Sequence, residues 1–344
     1  MLRYCGPFLF LASIPALFYG AGDAAPLVTV ALLLLALVGA EWIAPRGDAM
    51  PASPRSRPVR ILPILYIPAQ IAGTLWALFV VSNPRLPALA FASLTLSVGV
   101  TTGVFGVLAA HELVHSMRRG DRFLGGVMLT AMCYRQFRIA HVYGHHRWAG
   151  TEHDAATARA GEGFYGFLLR TVLGQLVEAW RFEERRRAAR TRTVLANRVV
   201  HDGFIMAAVF SAIGAAFGWR GLVFFLGQSV TAIVVLELFN YIAHYGLVRE
   251  VRGDGRREPL SDSHSWNSSN VLANALIFNM GRHSDHHRAP AAPFQHLARV
   301  PSAPELPAGY AGSIILALVP PLWRCVMDPE IQRVKAQGTG RAAA

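Results

Sequence analysis

The sequence predicts an all-α, polytopic membrane protein with a histidine-rich cytoplasmic region. Apolar residues make up 53% of the 344-residue chain and charged residues only 16%, against about 25% charged in soluble domains. The apolar residues fall into runs of the roughly 20 residues that a helix needs to cross a bilayer. Arginines collect in alternate loops between those runs, the asymmetry that orients membrane proteins.

Six spans follow, at about 5–20, 24–43, 61–81, 88–110, 203–218 and 222–242, the first and fifth being short. Arg46, Arg55, Arg57 and Arg60 lie between the second and third. Arg118, Arg119 and Arg122 follow the fourth, and Arg249, Arg252, Arg256 and Arg257 follow the sixth. The other loops, 21–23, 82–87 and 219–221, are short and carry few charges. The positive-inside rule then puts both termini and the histidine groups in the cytoplasm. Arg3 ahead of an apolar core, with small residues from Ala21 to Ala24 behind it, also resembles a secretory signal. Removing it would leave an odd span count and break the charge alternation, so a retained helix is preferred.

The chain reads as one membrane domain, 1–344, with a Pro/Arg/Ser-rich connector at 44–60 and cytoplasmic insertions at 111–202 and 247–330. In the first insertion, 166–192 sets Phe167, Leu168, Val172, Leu176, Ala179 and Trp180 beside a run of Arg and Glu. This predicts an amphipathic helix that either lies along the interface or faces solvent. Residues 331–344, which end in a Gly/Ala-rich stretch, are expected to be a disordered tail.

Net charge is +12, concentrated in the cytoplasmic segments, which suits anionic lipid or an acidic protein partner. No basic stripe with stacking aromatics stands apart from the membrane loops, which argues against nucleic-acid binding. Cys5, Cys133 and Cys325 are isolated and give no disulfide framework, zinc spacing or iron–sulfur spacing.

Nine of the thirteen histidines sit in four tight groups at or near the ends of apolar stretches. They are His111 and His115; His141, His145 and His146; His244; and His283, His286 and His287. Imidazole is the commonest protein ligand for transition metals, and nine donors exceed what one ion binds, so two metals are expected. On a helix, His111 with His115, His141 with His145 and His283 with His287 would each share a face. Glu237, Asn240 and His244 would likewise point the same way.

An ionisable Glu237 inside a span is costly and needs a partner. It reads as an acceptor for a ligand's second ring N–H or as a proton relay, with direct ligation the weaker alternative. Glu112 and Asp285 are further candidates to hold ligand rings, or else solvated carboxylates. Among the remaining histidines, His201 and His296 read as surface residues, His264 as a residue lining the site and His153 as a weak candidate. With so few carboxylates the centre would be cationic. Zinc's structural sites are closed and four-coordinate, so iron is favoured, and with it oxygen chemistry on an apolar substrate.

The four groups resemble the motifs of the integral-membrane alkane 1-monooxygenases, within the wider class of membrane desaturases and hydroxylases. The likeness runs from about Leu108 to Asp328 and includes Gly161-Glu162-Gly163-Phe164-Tyr165, Asn240-Tyr241 with His244-Tyr245-Gly246, His264-Ser265-Trp266-Asn267-Ser268 and Leu306-Pro307-Ala308-Gly309-Tyr310. The resemblance implies six membrane helices and a non-haem di-iron centre on the nine histidines. It implies hydroxylation of a terminal C–H with O2, with electrons from rubredoxin served by an NAD(P)H-dependent reductase, in a bacterial inner membrane. Two departures stand out: Ala140 and Ala243 occupy positions where the family usually has Glu.

The chain has no Gly-rich dinucleotide motif and no flavin or iron–sulfur motif, so electrons must arrive from another protein. Arg181, Arg185, Arg186, Arg187, Arg190 and Arg192 offer either a docking face for an acidic donor or an ordinary membrane anchor. Gly99, Gly103 and Gly106, ahead of His111, either leave room for a narrow substrate channel or let helices pack closely. The rival activities are a methylarene hydroxylase of the xylene type, an acyl-chain desaturase and a metal transporter.

Overall fold

The computed structural model describes residues 2–43, 46–47, 57–190 and 193–342, without the side chains of 57–58 and 338–342. Arg55, Arg192 and most of the 44–60 connector lie outside the described residues. The described residues form helices and irregular segments, with isolated bridges such as Arg46 to Asn270 the only extended pairing among them.

The helices that carry the fold are α1 (Gly6–Ala21), α2 (Pro26–Ile43), α3 (Arg57–Val81), α4 (Ala88–Thr101) and α5 (Val107–Val114). They continue with α6 (Arg119–Ala131), α7 (Phe164–Ala188), α8 (Arg198–His244), α9 (His283–Arg288), α10 (Gly309–Ala317) and α11 (Pro320–Ala342). Among the described residues, four stretches are long and apolar enough to cross a membrane: Pro26–Ile43, Val59–Val81, Ala88–Val114 and Arg198–His244. Helix α1 is apolar but shorter.

Helix α8 is 47 residues long but not straight. Gly218 takes φ 65° and ψ −165°, a left-handed conformation open to glycine. Phe210 and Phe225 then lie with ring centroids 5.8 Å apart, whereas fifteen residues of straight helix span about 22 Å. The helix therefore doubles back, and the runs expected at 203–218 and 222–242 are its two limbs, with almost no loop between them. Arg220 fixes the turn by donating to the carbonyls of Val81 (2.9 Å) and Leu86 (3.2 Å).

Close approach, rather than free space, explains two of the glycines ahead of His111. A Cβ at Gly99 would sit 2.9 Å from the Gln228 carbonyl oxygen, and one at Gly103 would sit 2.9 Å from that of Ala232. Only a residue without a side chain lets α4, with the π-helical turn Thr102–Gly106 that follows it, touch the returning limb of α8 along this seam. Gly106 faces the Met128 side chain instead.

Two expectations are corrected. Residues 331–342 are not a disordered tail: they continue α11, and Ile331 is buried against Tyr245 and Trp323 in a common cluster. The connector also ends early, because α3 begins at Arg57. The helix expected at 166–192 forms as α7, but its buried stripe is partly polar, with Phe167, Thr171, Gln175 and Ala179 facing inward. Leu169, Leu173, Leu176, Val177 and Trp180 are exposed.

Candidate metal centre

Nine of the described histidine rings converge into two adjoining groups. His111, His115, His141, His146 and His286 form one, and His145, His244, His283 and His287 the other, with the ring nitrogens of each lying within 4.8 Å of one another. His146 and His287 bring the groups together at a ring-centroid distance of 4.6 Å.

Local winding decides which ring goes where. Residues Ala140–His145 form a π-helical turn, in which the hydrogen bond runs to i+5. His141 and His146, five apart, therefore share one face, with their Nε2 atoms 3.1 Å apart. His145 is turned toward the other group. The expectation that His141 and His145 act as a pair at α-helical spacing is corrected on this point. Helix α9 keeps ordinary geometry, so His283 and His287 do pair, at 3.1 Å, while His286 crosses to His146 at 3.2 Å. His111 and His115 stay together on α5 and its cap. His244, at the end of α8, has its Nε2 3.1 Å from those of both His283 and His287.

These contacts join nitrogens rather than donors to acceptors. His244 Nδ1–H donates to the His264 carbonyl at 2.9 Å, and His145 Nδ1–H to Asp154 Oδ2 at 2.8 Å. Each bond fixes the tautomer and leaves a bare Nε2 aimed into the group. His145 Nε2 and His115 Nε2 are buried without a hydrogen-bond partner among the described residues. Burial, reinforced by His145, lowers the pKa of His115 to about 4. Burial first, then neighbouring imidazoles, hold His141, His146, His283, His286 and His287 well below the ordinary range. Neutral rings with converging lone pairs are the donor set a transition metal takes, so the residues fit two such ions.

The carboxylates expected to hold these rings do something else. Glu237 is buried and accepts from Tyr134, Thr171, Gln175 and Asn240, not from a histidine. Glu112 accepts from the Phe294 backbone N–H at 3.2 Å, and Asp285 from that of Ala298 at 2.8 Å. Asn240 donates to Glu237 and touches no ring nitrogen. Asp154 is the carboxylate that sequence reasoning missed. It is held by the Thr157 hydroxyl (2.7 Å) and the Ala156 N–H (3.0 Å). It lies in an irregular turn nine residues after His145, where no periodicity points to it. His264 contributes its carbonyl, while its ring binds Glu258 and Ser261. His153, His201 and His296 are exposed and belong to neither group.

A narrow cavity of about 30 Å³ abuts both groups, room for one or two waters. His111, His141 and His283 are part of its wall, and Val107, Leu108, Leu236, Phe239 and Met280 make much of the rest apolar. Ala243 lines this cavity, where a glutamate would bring a charge. Ala140 instead packs with Ile139 and Ala179.

Residues 84–314 match the fatty acid desaturase family model. The chain is 39% identical to alkane 1-monooxygenase 1 of Pseudomonas aeruginosa, over 79% of this chain and 72% of that one. It is 35% identical to the alkane 1-monooxygenase of Ectopseudomonas oleovorans, over 87% of this chain and 75% of that one. The chain belongs to the integral-membrane alkane 1-monooxygenase family. As a member it is an oxidoreductase of the monooxygenase type. It is also 28% identical to the hydroxylase component of xylene/toluene monooxygenase from Pseudomonas putida, over 75% of this chain and 70% of that one. The membrane class and the resemblance read from its motifs hold, and desaturase likeness enters through the broader family model.

Proposed function

We propose that the chain is a membrane non-haem di-iron monooxygenase that hydroxylates the terminal methyl of an alkane or similar hydrocarbon. The observation that carries this reading is the narrow, largely apolar cavity whose wall includes histidines of both groups. His111, His115, His141, His146 and His286 would hold one iron, and His145, His244, His283 and His287 the other. When bound, the pair of irons supplies activation of O2 and oxidation of the C–H bond. Overall, one oxygen atom enters the terminal C–H bond as hydroxyl, and the other leaves as water with two protons and two electrons.

The protein's own part is placement. The cavity admits little more than a chain tip, which favours attack at the end over the middle. Its apolar walls keep bulk water from the site. Glu237, held by Tyr134, Thr171 and Gln175, accepts from and orients Asn240, which lines the cavity. Asp154 and the His264 carbonyl hold their rings in the ligating tautomer.

Electrons come, on this reading, from rubredoxin and its NAD(P)H-dependent reductase. The Arg181 and Arg185 face of α7 is the docking surface for that acidic partner. On this reading α1 and both limbs of α8 are counted among six crossings, and the site faces the cytoplasm from a bacterial inner membrane. The arginine-rich loops support that orientation, and the exposed apolar stripe of α7 supports its lying along the interface.

The test is turnover of purified enzyme with reduced rubredoxin on octane, hexadecane and p-xylene. Primary alcohols from the n-alkanes are expected. Preferential oxidation of p-xylene would assign the methylarene reading instead, and alkene products from an acyl chain would assign a desaturase.

A further inference from the structure

A second cavity, far larger than the one that meets the histidines, lies elsewhere in the fold. A crevice of about 660 Å³ runs between α3, α6 and the first limb of α8, within the 300–1,000 Å³ usual for small-molecule sites. One end is apolar, walled by Ile71, Leu75, Leu78, Val209 and Ile213. Ile71 to Leu78 and Ile205 to Ile213 each run along a helix for about 10–12 Å. Leu75, Phe123 and Ile205 are exposed at its edge, so the crevice opens sideways toward the bilayer.

The other end is cationic. Arg119, Arg122, Arg135 and Arg138 line it. Asp202 pairs with Arg135 and Arg138, both at 2.7 Å. Arg119 and Arg122 are exposed and have no carboxylate partner among the described residues, and Arg122 donates only to the backbone oxygens of Ser116 and Met117, at 2.8 Å each. Four guanidiniums against one carboxylate leave an uncompensated positive mouth above an apolar slot.

We propose that this crevice binds one anionic phospholipid, its phosphate and headgroup on Arg119 and Arg122 and an acyl chain in the slot. Basic pockets between membrane helices on the cytoplasmic side suit such headgroups, and guanidinium suits phosphate oxygens. The inference rests on the chain's membrane embedding, not on the oxidation chemistry.

The test uses the full chain in phosphatidylcholine nanodiscs titrated with dioleoyl phosphatidylglycerol, with bound lipid counted by native mass spectrometry. One phosphatidylglycerol per chain is expected. Arg119→Gln/Arg122→Gln should weaken it roughly thirtyfold, from the loss of two surface-proximal charges. Ala212→Trp, at an exposed position on the crevice wall, should exclude it with the arginines intact. Millimolar inorganic phosphate should not displace it, since the acyl chain contributes binding that phosphate lacks. Equal retention of phosphatidylcholine, displacement by phosphate alone, or hexadecane occupancy unaffected by the arginine change would each overturn the proposal. The last of these would make the crevice a hydrocarbon route.

Discussion

The five-histidine group and the four-histidine group are built from the same side chain, yet they are held differently. In the smaller group, two of the four rings are tied from behind, His145 by Asp154 and His244 by the His264 carbonyl. In the larger, no ring Nδ1 has a described partner of that kind, and those of His111 and His146 are buried without one, as is that of His287 in the smaller group. One group relies on orientation, the other on number of donors. On the di-iron reading, the four-ligand site tolerates no loss, while the five-ligand site keeps a spare.

That contrast can be broken by substitution. The largest effect is expected from His244→Ala, which removes a ligand where none is spare. Elemental analysis should show one iron lost per chain, and single-turnover assays at least a hundredfold slower oxidation. His115→Ala, in the five-ligand group, should retain both irons with weaker binding of one.

Next in size is Asp154→Asn. An outer partner of a metal-bound imidazole is worth about 10–100-fold in metal affinity, and the loss should fall on the four-histidine site only. Competition with a chelator, followed by iron counting, measures it. Glu112→Gln and Asp285→Asn serve as controls. Both carboxylates bond to backbone N–H groups, so metal content should change by less than about twofold, well short of what a true outer partner costs.

The smallest effect concerns acid. Burial lowers His115 to about 4, whereas an unfolded histidine takes its proton near 6.5. Between those values the unfolded chain binds more protons, so stability of the chelated protein should fall as pH drops from about 6.5 toward 4. Metal-loaded protein should start more stable and lose stability more steeply over the same range, because protonating its ligands also releases the metal. Thermal unfolding in detergent at stepped pH checks it; identical curves for the two forms would remove the buried-imidazole explanation.

Much of this centre was legible in the sequence, and the limits have physical causes. The nine histidines stand out because imidazole clusters at the ends of apolar runs are improbable without a metal. Their partition was not legible, since it depends on the π-helical winding of Ala140–His145, which no hydrophobic periodicity announces. Asp154 was invisible because it reaches His145 through an irregular turn rather than a helix face. Glu237, by contrast, is legible as an ionisable side chain inside a span that needs partners, though not as to which ones. Those partners are the phenol of Tyr134, the amides of Gln175 and Asn240, and the hydroxyl of Thr171, from three separate segments. The α8 hairpin was legible as two runs separated by a three-residue loop; only its turn was not, since one left-handed residue, Gly218, replaces that loop.

Iron content per chain tests the account most directly, measured side by side in the wild type, His244→Ala and His115→Ala. Two irons, one iron and two irons are expected, in that order. Wild-type enzyme that turns over without iron, or a His244→Ala variant that keeps both, would contradict the two-site reading.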